Sequence, residues 1–554
     1  MSNVHKVKKG NVVSGLIREM DLKVVIPSLL IVLAMVVYCI VNEDTALDTF
    51  SGIFDAFVIQ STSLYLWYPI VLIGIGMYFI FSKYGNIVLG SPDEKPATTN
   101  IQYIAIILAM AFGATIMRTG PINWALAAQD PPPSFGVEAF SREAIVFGNS
   151  YSMFAWGISV FAIFALAAPT IGYYMHVRKK SSVKLSAILG ELFGEKFEKG
   201  ILGKIADLIF VVSFICAAAT LVGLATPVVS AVFARLLNIR ASLEIEILLT
   251  VVMVIIFTVS ACLGLKKGIE KLSEINIYLA CGFMALICLI GPGLFIADFF
   301  TDTIGHYLNH YIAFSFHANS MGGTVDYVQS YTVFWSAYNA GWAILHSTFL
   351  AIVSKGRTIR QMLLIYFLAP QAIVLVFTAI LGGLGADAYL NGVVPVFDML
   401  ASEGVAETVT SILQNNLPFP SVMMLIYMVV AMIFLSTTMD SSTYTIASYV
   451  TLRDLSKSEP SRLMRLVWAA LIASLAISMM IVGGLAPLDV LNGMMGVPIM
   501  ILQGLLIRAG FKMMKDDKAY IYNVRKNSLQ REIEEAEEAV CESCPDKDKG
   551  GILC

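Results

Sequence analysis

Residues 331–360 read YTVFWSAYNAGWAILHSTFLAIVSKGRTIR, and this stretch decides the fold. Tyr331 to Ser354 contain no acid, Lys or Arg, and the run ends at Lys355, Arg357 and Arg360. A run of that length spans a bilayer core, which needs ~20 residues as a helix. Trp335, Tyr338 and Trp342 stand at i, i+3 and i+7, so a helix puts them on one face. Asn339 and Gly341 weaken the helix beside them, which predicts an interruption near its middle. His346 sits further down and reads as a packed residue. An aromatic stripe with a soft centre suits a site held in mid-membrane.

The surrounding chain agrees. Its 554 residues are 57% hydrophobic and 14% charged, whereas soluble domains carry nearer 25% charged residues. Twelve apolar runs reach spanning length: 24–41, 65–82, 101–128, 152–176, 206–234, 245–265, 275–298, 331–354, 361–384, 421–447, 463–485 and 487–508. The expectation is an all-α polytopic membrane protein of twelve transmembrane helices. Positive charge alternates from loop to loop. Lys83 and Lys95, Arg178 to Lys184, Lys266 to Lys271, Lys355 to Arg360 and Arg453 to Arg465 share one side with the basic amino-terminal segment, while 299–330 and 385–420 carry no Lys or Arg. The positive-inside rule then puts both termini in the cytoplasm, at the cell membrane. Residues 1–23 lack an apolar run ahead of a small-residue cleavage site, so no cleavable signal is expected.

The eight cysteines form no disulfide pattern, and the lone CxxC at Cys541/Cys544 is a weak zinc signal in a tail read as reduced and solvated. No HExxH, GxSxG or clustered His/Cys set appears. Neither an enzyme nor a cofactor or metal centre is therefore expected. Two loops read as amphipathic helices lying along the surface, 299–318 and 395–417. The tail from about 520 reads as a charged helix giving way to disorder.

A second interruption is predicted in the third span, ILAMAFGATIMRTGPINWALAA, at Gly113, Gly120 and Pro121. Spans three and eight lie five apart and so cross in opposite directions. Broken helices at matching places in inverted halves point to a transporter's mid-membrane site.

At this point several pieces resemble the betaine/carnitine/choline transporters: SKGRTIR (354–360), TVFW (332–335), GLATPVVS (223–230), FTDTIG (300–305), AWG (155–157) and STTMDSSTYTIA (436–447). The likeness covers roughly 20–510, and GEKFEKGILGKIADLI (194–209) looks most like the carnitine-type branch. The resemblance implies two peripheral helices and a five-plus-five inverted-repeat (LeuT-like) core. It also implies alternating access, and a homotrimer in which the surface helix takes part. The corresponding segments are a cytoplasmic amino-terminal stretch (1–23), two peripheral helices (24–98), a first five-helix repeat (99–300), a surface helix (301–328), a second repeat (329–510) and a charged cytoplasmic tail (511–554).

In that family tryptophans of spans four and eight cage a quaternary ammonium by cation–π attraction, at ~0.5–2 kcal/mol per ring. Here Trp156 matches a box tryptophan, but its partner five residues on is Phe161. The paired tryptophans of span eight fall on Tyr338 and Asn339, and the upstream one falls on Tyr331. Trp335 and Trp342 stand where other aromatics are usual. Arg118 replaces an aromatic in the broken third span. A charge there is costly and by default functional, and a guanidinium matches a carboxylate bidentately. Sodium-driven members place two hydroxyls in span ten, matched here by Thr437 and Thr438, with carbonyls of Ala109 and Phe112 opposite. The exchangers' cationic side chain falls on Glu270. Sodium coupling is favoured over obligatory exchange, though hydroxyls in membrane helices also bond their own backbone. The expected solute is a small betaine-like, carnitine-like or choline-like zwitterion. The alternatives are an amino acid or other carboxylate gripped by Arg118 and, from another class, a membrane solute sensor.

Overall fold

The computed structural model describes residues 17–42, 45, 48–49, 52, 55–56, 58–111, 113–263, 270–322, 324–455, 459–482 and 492–519. The first long helices are α1 (Leu22–Val41) and α2 (Thr62–Phe81). The third span comes in pieces, α3 (Asn100–Ala111), α4 (Gly113–Thr119) and α5 (Asn123–Ala128), and so does the fourth, α6 (Arg142–Ala155), α7 (Ile158–Ala165) and α8 (Ala168–Gly172). After α9 (Leu185–Phe193) and α10 (Glu195–Lys199) come α11 (Ile201–Leu236), α12 (Leu243–Leu263), α13 (Glu270–Ile290) and α14 (Gly293–Ser315). Next are α15 (Tyr327–Val353), α16 (Ile359–Leu390), α17 (Val396–Ser402) and α18 (Gly404–Asn415). Three long helices close the chain, α19 (Pro420–Val450), α20 (Arg462–Val482) and α21 (Gly496–Asp516). Among the described residues no strand forms, and nine helical runs are long and apolar enough to cross a membrane. The protein is an all-helical, multi-pass membrane protein.

The bundle is inverted relative to a soluble core. Leu30, Leu33, Trp67, Val71, Leu248, Ile255 and Leu289 are exposed on α1, α2, α12 and α13, where hydrocarbon rather than water is the solvent. Spans four and five are buried far more completely. In them Ala, Gly, Ser and Thr let neighbouring backbones approach, as membrane helix packing requires.

The expected interruption of span eight is not there. α15 is a single 27-residue helix, reaching ~40 Å. It is less apolar than the nine runs because Tyr, Trp, Asn and His break its aliphatic content. Gly341 serves close packing instead: Ser213 Oγ donates to Gly341 O at 3.1 Å, and a Cβ at this position would collide with Asn492 Oδ1. Asn492 Nδ2 in turn donates to Tyr338 O at 3.1 Å.

The break in span three does occur at Gly120–Pro121, where Pro removes a donor. The freed groups find protein partners: Trp124 Nε1 donates to Pro121 O at 2.9 Å, and Tyr427 Oη donates to Met117 O. Span four is also broken, which the sequence did not announce. Trp156 and Gly157 leave helical geometry, and Gly157 turns to an extended ψ of −164°. A second gap follows α7, patched from α15: Ser347 Oγ donates to Phe164 O at 2.7 Å and accepts from Ala167 N at 3.3 Å.

The last span sits further along than its hydropathy implied, since α21 runs to Asp516 rather than ending at 508. Its final turns are held by packing, with Gly510 against Thr170 and with Met513 and Met514 buried. The basic end of the bundle is laced together. Arg357 donates to Asn100 Oδ1 at 2.7 Å and to Thr98 O at 2.8 Å while lying over the Tyr103 ring. Arg178 bonds both Asp517 and Glu191. The predicted tail helix and the CxxC lie outside the described residues.

Candidate functional site

In the half of the bundle away from the basic end lies a cavity of about 260 Å³. Arg118 and Thr119 of α4 form one side of it, and Tyr331, Phe334, Trp335 and Tyr338 of α15 form another. Leu221, Leu224 and Ala225 of α11, Leu126 of α5 and Val405 of α18 complete the wall. The four rings sit together because positions 331, 334/335 and 338 recur at helical spacing on a straight helix.

Trp335 is the central ring. Its centroid lies 4.5 Å from Trp156, 5.3 Å from Tyr338, 5.5 Å from Tyr331 and 5.7 Å from Phe334. All four pairs meet edge to face within the range of aromatic attraction. The kink at Trp156–Gly157 is what turns the Trp156 indole onto it. Trp335 also lines a second, water-sized space of about 20 Å³, with Ser159, Thr332, Ser336 and Asn339 on its wall. Asn339 is buried there and its Nδ2 has no hydrogen-bond partner among the described residues. On the wall of this small space Tyr151, from α6, shares a hydrogen bond of 2.6 Å with Thr332 Oγ1.

Of the sequence-derived candidates, Arg118, Tyr331, Trp335 and Tyr338 share the large cavity, Asn339 faces the small one, and Trp156 backs the central ring. Phe161 and Trp342 stand elsewhere. Phe161 is fully buried edge-on against Tyr366 at 5.6 Å, and Trp342 packs on His346, itself stacked on Phe164 at 3.9 Å. The aromatic stripe that matters therefore starts one turn earlier than 335–342, at Tyr331, and includes Phe334, which went unnoticed. Its i+3 spacing from Tyr331 was the available signal. The contributions of α11 and α18 had none, because aliphatic side chains meet the site only through tertiary packing.

In α19 both candidate hydroxyls bond their own helix. Thr437 Oγ1 and Thr438 Oγ1 donate to Phe434 O at 2.9 and 3.0 Å, and Asn276 Nδ2 donates to Thr437 Oγ1 at 3.3 Å. A hydroxyl that donates keeps lone pairs for a cation. α19 packs against α3 and α4, the pieces carrying the expected carbonyls. Phe112 itself lies outside the described residues, and so do the surroundings of the Ala109 and Glu270 side chains. No group of three or more His, Cys, Asp or Glu that could hold a metal occurs among the described residues.

One solved structure similar to this chain is described as the substrate-bound outward-open state of a Na+-coupled sialic acid symporter. The identity is 14% over 81% of this chain and 87% of that one, with a TM-score of 0.44. The sequence pattern defining the betaine/carnitine/choline family transporters matches residues 23–519. That match spans the helices described above from the second residue of α1 onward, the broken third span and the ringed cavity among them, and it indicates a transporter rather than an enzyme. The chain belongs to the betaine/carnitine/choline family of transporters.

Proposed function

We propose that the protein carries a small zwitterion across the cytoplasmic membrane by alternating access, driven by a coupled cation. The carrying observation is the cavity's two-ended chemistry: a guanidinium at Arg118 across from the rings of Tyr331, Trp335 and Tyr338. Arg offers a forked donor for a carboxylate, and ring faces attract a quaternary ammonium that cannot donate hydrogen bonds. At about 260 Å³ the cavity is near the small end of ligand sites, ~300–1,000 Å³, which suits a betaine-like or carnitine-like solute. Thr437 and Thr438 are the proposed sodium-binding hydroxyls.

The reading includes the five-plus-five inverted repeat over spans three to twelve, the cytoplasmic termini and a homotrimer built with α14. The basic loops at one end support the orientation. An amino acid is the second reading, favoured because four cavity rings, of which Trp335 alone is a tryptophan, make a thinner cage than a full set of tryptophans. Purified protein challenged in a thermal-shift assay with betaine, carnitine, choline and amino acids tests both. Stabilisation by betaine or carnitine and not by primary amines supports the first, and the reverse pattern selects the second. Counterflow in proteoliposomes excludes a sensor that binds without moving its solute.

A further inference from the structure

At the basic end the chain ahead of α1 folds back across the end of α19. Met20 and Thr451 face each other as an antiparallel bridge. Asp21 N donates to Val450 O at 2.9 Å, and Leu452 N donates to Glu19 O at 2.7 Å. Two ion pairs flank the bridge: Arg453 with Glu19, and Lys184, the N-cap of α9, with Asp21. Met20, Val450 and Thr451 are buried beneath them.

The same corner is tied a second time, in the interior. Leu185 N donates to Tyr449 Oη at 3.0 Å, and Tyr449 Oη donates to Asp207 Oδ1 of α11 at 2.6 Å. Ser186 donates to the same carboxylate through N at 3.0 Å and through Oγ at 2.6 Å. Segment 19–21, α9 and α11 therefore all meet the last turn of α19. That helix is continuous and packs against α3 and α4. From Val450 back to Tyr427, which holds Met117 O beside Arg118, it runs ~35 Å. One rod thus joins the broken helix of the cavity to this corner.

The two ties differ in kind. The Asp207 network is buried, with both carboxylate oxygens occupied. The outer tie rests on two backbone hydrogen bonds and two part-exposed ion pairs, and such pairs are weak and screened by salt. The cavity lies in the half of the bundle away from this corner, so solute released at the basic end needs the corner to loosen. Helices that shift as rigid bodies loosen at their weakest joint.

We infer that Glu19–Asp21 is a strap holding α19 closed at the basic end, and that it must leave Val450–Arg453 before the cavity opens toward that side. The strap rests on the alternating-access reading above only for the step from opening to transport.

Met20→Cys with Thr451→Cys tests it in the full-length protein. Facing residues of an antiparallel bridge have Cα atoms ~4.5–5.5 Å apart, within the reach of a disulfide. In proteoliposomes the oxidised variant should lose solute counterflow roughly tenfold or more and regain it on reduction, while wild type treated alike keeps its rate. Recovery on reduction shows that the fold persists. Full counterflow with the cross-link in place overturns the strap. A second arm needs no solute. Glu19→Gln with Asp21→Asn removes the charges, and Asn keeps the α1 cap that Asp21 makes to Lys23 N. Hydrogen exchange at the Ser186 amide, which bonds Asp207 rather than the strap, should then quicken severalfold; unchanged exchange there also overturns the strap. If wild type carries none of the solutes, the transport reading fails while the exchange arm still judges the strap.

Discussion

Replacing Trp335 separates a packing role from a solute-binding one. The ring touches Trp156, Tyr331, Phe334 and Tyr338 and walls two spaces at once. Trp335→Ala removes an indole from a core-like position, where such truncations cost ~3–5 kcal/mol. The existing spaces on two sides put the loss toward the lower end. Trp335→Phe keeps a ring and the edge contacts, so its stability cost should stay below ~1.5 kcal/mol. Solute binding gives a different ordering. An indole face contributes ~0.5–2 kcal/mol to a cation and phenyl less, so Trp335→Ala should weaken a quaternary ammonium solute by roughly 2–30-fold. A carboxylate lacking the ammonium should be almost unaffected. Isothermal titration of each variant with betaine and with an uncharged-tail carboxylate of similar size reads this directly. If Trp335→Ala folds, and its betaine affinity matches wild type, the ring is packing only and the reasoning is refuted.

Arg118→Leu should cost carboxylate solutes roughly 10–150-fold, at ~1.5–3 kcal/mol for a charge-assisted contact, while choline, which has no carboxylate, keeps its affinity; a filter-binding comparison of betaine and choline shows it. Gly341→Ala should lower the unfolding temperature, because the new Cβ meets Asn492 Oδ1 and lies 3.0 Å from Ser213 Oγ, an overpacking cost of ~1–3 kcal/mol readable by differential scanning fluorimetry. At the basic end, hydrogen bonds from Arg178 at 2.7 and 2.9 Å hold the Asp517 carboxyl below the usual carboxylate range. A depressed value stabilises the fold above the free carboxyl's ~3.9 and is lost as pH falls through the folded value. Wild type should therefore outlast Asp517→Asn at pH 6 and lose that advantage near pH 3 in paired melting curves.

Much of the architecture was legible because bilayer crossing forces long apolar runs, and because Gly120–Pro121 cannot sustain a helix. Asn339 and Gly341 misled, since a glycine that weakens a helix and a glycine that admits Asn492 look alike in sequence. The kink at Trp156–Gly157 had no proline to mark it and arises from contacts with α15. For the site, Arg118 stood out by charge alone, whereas Phe334, Leu221 and Val405 join the cavity through packing that no local pattern encodes. Transferring family positions onto Phe161 and Trp342 named rings that the helix phases turn toward Tyr366 and His346 instead.

The most direct test is a structure of the protein with a trimethylammonium carboxylate bound. The expected result is its carboxylate ~2.7–3.2 Å from the Arg118 guanidinium and its ammonium within ~6 Å of the Trp335 and Tyr338 ring centroids. A solute seated away from the α4–α15 cavity, with Arg118 turned to the headgroups, would contradict the two-ended site.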